Sequence, residues 1–305
     1  MDIDEHSYNY EQLDKLLYKF LSSRKKYKNT PPKDSLIIYD NKQLCFEKGE
    51  LIVLASRPSI GKTALALNWM YDFASNQNKS VGFITSGIPD SEYLTMRILA
   101  LASKINPAKL RCGLLNKNDT EQIEKAASKL SNLPIFISDI PNVKFEDVET
   151  VAAEMMRKNK IEILFIDGFD YLYEIAVSKS FCENAQWAEQ MEPYYNEIYF
   201  MMENLKGFAN KWQIPIVLLV PIKQDAYGDE PTIKSFEDKL IIPRIADKVI
   251  FLHRERINND GEWQDAKLIV AKNSNGPCGD VIIRFYCKTV EFKYDEKTCY
   301  EMSIR

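Results

Sequence analysis

Gly61, Lys62 and Thr63 are the residues in this sequence whose types and order best suit phosphate chemistry. They follow an apolar run, LIVLAS (51–56), and a short loop, RPSI (57–60), and they open a stretch with helical spacing. Strand, loop and helix in that order let backbone N–H groups of the loop and the helix start converge on one concavity. Gly61 lets the main chain approach a phosphate oxygen, Lys62 would reach the β- and γ-phosphates, and the Thr63 hydroxyl would hold Mg²⁺. The candidate nucleotide-binding set is therefore Arg57, Pro58, Ser59, Ile60, Gly61, Lys62, Thr63 and Ala64, with ATP as ligand. One part of the G-x-x-x-x-G-K-T pattern is missing, because Ser56 stands where its first glycine belongs. Ser56 is small and Pro58 stiffens the loop, so the cradle is expected to survive.

A magnesium site of this kind needs a carboxylate at the end of a second strand. EILFID (162–167) ends on Asp167 after four apolar residues, which makes Thr63 and Asp167 the candidate Mg²⁺ pair. A strand-ending Asp is common, so the assignment rests on its company with the phosphate loop.

These residues need a sheet to carry them. SVGFIT (80–85), PIFIS (134–138) and IPIVLLV (214–220) join LIVLAS and EILFID as continuously apolar runs, which suit strands covered on both faces. Helix-like segments lie between them near 62–75, 90–104, 119–130, 146–159 and 186–212. This alternation predicts an α/β fold with a mostly parallel sheet flanked by helices. In the tail, KVIFLH, AKLIVAK, DVIIRF and TVEFKY are separated by short turns and read as mostly antiparallel strands extending that sheet. Ile198, Met201, Met202, Leu205 and Phe208 share a helical stripe expected to be core. Before the sheet, residues 8–21 have the spacing of a short amphipathic helix, and SSRKKYKNTPPKDS reads as a polar, basic linker. Residues 1–34 are thus expected to be a helix and linker, and residues 35–305 one ATPase domain.

Bulk properties narrow the class. The chain has 305 residues with 45% hydrophobic content, ample for one large core. A net charge of −4 gives no sign of a strongly basic nucleic-acid binder. No apolar run reaches the ~18 residues of a membrane helix, and the acidic start MDIDEHSYNYEQ is no signal peptide. The six cysteines form no C-x-x-C pair and there are only two histidines, which argues against zinc and for reduced thiols in a cytoplasmic protein.

The residues RPS-x-GKT (57–63) resemble the phosphate loop of DnaB-type replicative DNA helicases, which also lack the first glycine. The likeness continues through LTMRILALASKINPAKLRCGLL (94–115), LFIDGFDYL (164–172), IADKVIFLHRE (245–255) and AKNSNGPCGDVIIRF (271–285), and spans roughly Leu51 to Tyr294. The resemblance implies a RecA-like P-loop NTPase core with ATP and Mg²⁺ as cofactors. It also implies a hexameric ring in which the helix at 8–21 would pack on the adjacent subunit, and single-stranded DNA as a candidate partner.

The departures from the family are chemical. The family places a catalytic Glu just after its second strand, where this chain has Gly87. A Gln that senses the γ-phosphate is replaced by Pro221, and the trans-acting arginine finger by Ser274, while the companion Lys272 is kept as a trans-subunit nucleotide contact. A DNA-facing Arg-Glu-Ser-Gly loop reads Glu237-Asp238-Lys239-Leu240, leaving Lys239 as the candidate DNA contact. Asp170, Asp90 and Glu92 are the carboxylates considered as substitutes for the missing base. The expectation is a helicase-family domain that binds ATP and hydrolyses it weakly or not at all. The alternative is a non-catalytic regulator or scaffold partnering a helicase or replication complex. The crowded aromatics of 173–197 are read as an insertion packing on its own domain, with a partner-binding lid as the alternative. His253 is read as structural, and Arg254 or Arg256 is a remote candidate for the lost finger.

Overall fold

The computed structural model describes residues 36–38, 41–86, 90–140, 144–168, 191–222, 229–254 and 263–294. The helix expected at 8–21, its linker, Gly87, Asp170, Arg256 and most of the 173–197 segment lie outside the described residues.

Continuous apolar runs become the central strands. β3 (Leu51–Ser56) is buried at every position, as are β4 (Val81–Thr85) and β6 (Ile163–Asp167). With β5 (Ile135–Asp139), β7 (Ile216–Pro221) and β8 (Lys248–His253) they form the parallel part of a nine-stranded sheet, in the order β8-β3-β7-β6-β4-β5. Antiparallel β9 (Trp263–Asn273), β10 (Gly279–Tyr286) and β11 (Glu291–Tyr294) extend it beyond β8. β8 stands at the change of direction. It pairs parallel with β3 and antiparallel with β9, so the tail begins one strand later than its short turns alone suggest. A separate hairpin joins β1 (Leu36–Ile38) to β2 (Asn41–Phe46).

Helices cover both faces. α1 (Lys62–Ser75), α2 (Ser91–Ser103), α3 (Pro107–Cys112), α4 (Lys117–Leu130), α5 (Phe145–Asn159), α6 (Met191–Trp212) and the short α7 (Ile241–Ile245) follow the strands in turn, with a 3-10 helix at Ile233–Lys239. Alternate residues of β3 feed two cores. Ile52 and Leu54 pack with α1 and the tail strands, while Leu51, Val53 and Ala55 pack with α5 and α6. On α6 the expected stripe of Ile198, Met201, Met202, Leu205 and Phe208 is buried. Local chemistry sets the boundaries: Asp90 caps α2 by accepting from Tyr93 N at 2.7 Å, and Asn116 with Asp119 forms a capping box on α4.

At the N-terminal ends of β3 and β8 a charged network is sealed in. The Lys248 ammonium pairs with the Glu50 carboxylate, both almost fully buried, and Asn275 Nδ2 donates to Glu50 Oε1 at 2.8 Å. Asp247 Oδ2 accepts from Leu51 N and from Lys206 Nζ, each at 2.7 Å. The opposite, C-terminal ends of the strands carry the phosphate loop. Cys45, Cys112, Cys278 and Cys287 are free thiols. Among the described residues no helix is long and apolar enough to cross a membrane.

Candidate functional site

The turn from β3 into α1 opens a cavity of about 520 Å³ at the C-terminal edge of the sheet. Arg57, Pro58, Ser59, Gly61, Lys62, Thr63 and Ala64 line it, as the strand–loop–helix order anticipates. Ile60 does not line it. Its side chain is buried, and its carbonyl accepts from Arg254 Nε and a second guanidinium N–H, both at 3.2 Å. The loop turns through positive φ at Ser59 (63°) and Gly61 (118°). A Cβ on Gly61 would also meet the Phe292 ring at 3.2 Å, so conformation and space both call for glycine there. The tail strands thus form the back of the loop. Arg254 lies 4.4 Å over the Phe285 ring, and Asn68 on α1 bonds Val290 O and Phe292 N at 2.9 Å each.

β6 delivers Asp167 to the same cavity. Its Oδ2 accepts from the Thr63 hydroxyl at 2.7 Å and its Oδ1 from Gly168 N at 3.0 Å. Next to it, Ser86 N donates to Asp167 O and Ser86 Oγ donates to Gly168 O, tying the end of β4 to the end of β6. A hydroxyl beside a carboxylate is a hard oxygen donor set, which matches the way Mg²⁺ is held through one or two protein oxygens while keeping most of its waters. The residues therefore fit the ion, and Thr63 and Asp167 are the ones that would hold it.

Three lining residues escaped sequence reasoning: Tyr93 and Arg97 on α2, and Gly168 after β6. Arg97 Cζ stands 5.5 Å from the centre of the Tyr93 ring. Burial in the cavity wall pushes the Arg97 pKa down, while Tyr93 and Asp167 pull it the other way. Tyr93 and Arg97 are four apart on a helix, so they share a face, but only the sheet order reveals that this face meets the phosphate loop. Among the described lining residues Asp167 is the sole carboxylate, against the cations of Arg57, Lys62 and Arg97. That balance favours an anionic ligand.

The remaining candidates are scattered. Pro221 ends β7 beside Ser56 and lines the cavity with a ring that has no hydrogen-bond donor. Lys272 on β9 donates to the carbonyls of Pro243 and Arg244 at 3.0 Å each, away from this chain's own cavity, and desolvation lowers its pKa. Ser274 is exposed in the β9–β10 turn, its N–H donating to Asp247 O at 2.9 Å. Lys239 closes the 3-10 helix, partly exposed. Asp90 is engaged as the cap of α2, and neither it nor Glu92 lines the cavity.

The family model described as "DnaB-like helicase C terminal domain" matches residues 35–294. The replicative DNA helicase DnaB of Treponema pallidum is 34% identical over 257 residues, covering 84% of this chain and 54% of that protein. The replicative DNA helicase DnaB of Rickettsia prowazekii is 33% identical over 301 residues, covering 87% and 58% respectively. The chain thus spans about half the length of these curated relatives. Among solved structures, one described as an ATPase domain superposes with a TM-score of 0.77 at 19% identity, over 94% of this chain and 100% of that one. A DnaB-like replicative helicase, described with its interactions with primase, superposes with a TM-score of 0.73 at 19% identity, over 94% of this chain and 68% of that one.

Proposed function

This chain belongs to the DnaB-like helicase C-terminal domain family, and on that footing we propose that it is an ATP-binding domain acting in DNA replication whose hydrolysis is weak or lost. The observation that carries the proposal is the make-up of the cavity. It contains the Lys62 ammonium, the Thr63–Asp167 pair and a loop of backbone donors, and among the described residues no second carboxylate.

Binding and cutting a triphosphate ask for different groups. The loop N–H groups and Lys62 hold the phosphates in their ground state. Mg²⁺ held by Thr63 and Asp167 would neutralise phosphate charge. Hydrolysis needs in addition a base that orients water and donors that meet charge developing on the terminal phosphate. Asp167 is engaged by Thr63 and Gly168 N, so it is badly placed to serve as that base as well. Pro221 offers no side-chain amide and no N–H, and Gly87 and Ser274 lack the chemistry of the family's Glu and Arg. An arginine finger contributes about 10³ to 10⁵ in rate and a general base about 10² to 10⁴, non-additively. Losing both leaves little turnover but leaves affinity largely intact.

A second reading follows from the same balance of groups. A domain that binds nucleotide without turning it over serves as a regulator or scaffold, seated in a ring of its own copies or against a helicase, with residues 1–34 as its docking arm. Lys272 would then meet a neighbouring subunit's nucleotide after leaving the Pro243 and Arg244 carbonyls, and Lys239 would be the remaining cation for single-stranded DNA. Nucleotide binding and steady-state ATPase on one sample test the proposal. Micromolar binding with turnover well below ~1 s⁻¹ is expected. Turnover in the ordinary range of about 1–100 s⁻¹ would overturn it.

A further inference from the structure

Arg97 is the charged group of the cavity wall to which no motif gives a role. It lies on the second turn of α2, the helix that follows β4. In the sheet, the order β3-β7-β6-β4 puts the phosphate loop after β3 at one side, Asp167 at the end of β6 in the middle, and Arg97 beyond β4 at the other side. The guanidinium therefore reaches the cavity from across the cradle.

Its surroundings leave it work to do. With the described residues Arg97 forms the contact with the Tyr93 ring and feels the charge of Asp167, and it makes no hydrogen bond or ion pair. Asp167 already accepts from Thr63 and from Gly168 N, and one carboxylate cannot take up all five donors of a guanidinium. A guanidinium holds five N–H donors in a planar fork, and that fork matches a phosphate bidentately. Burial in the wall pushes the Arg97 pKa down, and an anion held against the guanidinium would offset that cost. The Tyr93 ring fixes where the fork sits without consuming its donors.

The loop N–H groups around Gly61 would hold the inner phosphates of a nucleotide from one side, with Lys62 reaching on to the β- and γ-phosphates. A cation facing that loop from the far side of Asp167 is the wall group that a third phosphate, extending away from the loop, would approach. We infer that Arg97 reads the terminal phosphate, within the same chain, and makes the domain distinguish a nucleoside triphosphate from a diphosphate. This rests on the nucleotide-binding reading above and adds to it a residue and a selectivity. Arg97 enters from a helix of its own domain, so the reading does not require a neighbouring subunit, unlike a contact made through the β9–β10 turn.

Calorimetric titration of the full chain with ADP and with the β,γ-imido analogue of ATP, each with Mg²⁺, tests it. Arg97→Ala is expected to weaken the analogue by roughly 10- to 100-fold and to leave ADP within about twofold. Arg97→Lys, which keeps the charge and loses the fork, is expected to fall between, with a loss confined to the triphosphate. This variant also decides the matter if the alanine variant fails to fold. Equal losses for both nucleotides, or no loss for either, would overturn the inference while nucleotide binding itself stands. A wild-type chain that binds neither nucleotide sinks the nucleotide reading, and this inference with it.

Discussion

The Thr63 hydroxyl donates to the Asp167 carboxylate at 2.7 Å, joining residues 104 positions apart, one in the first turn of the helix that follows β3 and the other at the end of β6. β7 lies between their strands, so the contact exists only if β3, β7 and β6 are in register. It is the point where the phosphate loop and the acidic strand end become one site.

Asp167→Asn removes the charge and keeps the shape. It is expected to abolish the Mg²⁺-dependence of triphosphate binding, with an affinity loss of about 10- to 100-fold at saturating Mg²⁺. Titrations with and without a chelator check this. A variant whose affinity still rises with Mg²⁺ as in the wild type would place the ion elsewhere.

Gly168→Ala is expected to be costly to the fold. Gly168 has φ of 95°, and a Cβ there would fall 1.7 Å from Ser86 Oγ. Left-handed strain and overpacking together predict a loss of about 2–5 kcal/mol in urea unfolding. Adding Ser86→Ala should recover only part of it, because Ser86 Cβ would still lie at 2.8 Å.

Arg254→Ala tests the loop from behind. The Ile60 carbonyl would lose two donors at 3.2 Å, and affinity for ADP and for a triphosphate should fall together by roughly 10-fold. A loss for one nucleotide alone would show that Arg254 touches the ligand and does not merely position the loop.

On the proposed reading, Gly87→Glu supplies the carboxylate that the resemblance to the helicase family places after the second strand. ATPase turnover is then expected to rise by about 10-fold or more, short of the full 10² to 10⁴ of a general base, since the same reading leaves Ser274 in place of the finger. Unchanged turnover would mean that the loss is spread over several positions.

Lys248→Met is expected to destabilise by about 3–5 kcal/mol, because it strands the Glu50 carboxylate in the interior. The pair Glu50→Leu with Lys248→Met should cost much less, since no charge remains buried. Chemical denaturation of both variants separates loss of a charge from loss of packing.

Much of this architecture was legible from chain chemistry alone. β3, β4, β6 and β7 are continuously apolar because both their faces are covered, and that is a pattern sequence displays directly. The turn between β3 and α1 was legible because its shape depends on local order, strand then loop then helix. The role of β8 was less so. KVIFLH looks like its antiparallel neighbours, and only pairing with β3 makes it part of the parallel sheet. Tyr93 and Arg97 were missed for a similar reason: an Arg one turn after a Tyr reads as a solvated helix face until strand order sets α2 beside the cradle. Ile60 lies in that loop, but its side chain is buried away from the cavity and its carbonyl meets Arg254, nearly two hundred residues away, a contact the local sequence does not display.

The packing of Phe292 behind Gly61, with Asn68 stitched to β11, bears on where this polypeptide can be shortened. A version trimmed back to β8 would keep every residue of the phosphate motif yet leave the turn at Gly61 with Leu252 behind it and without the nearer Phe292 ring. Boundaries chosen by motif alone would therefore yield a fragment with the right letters and a slack grip.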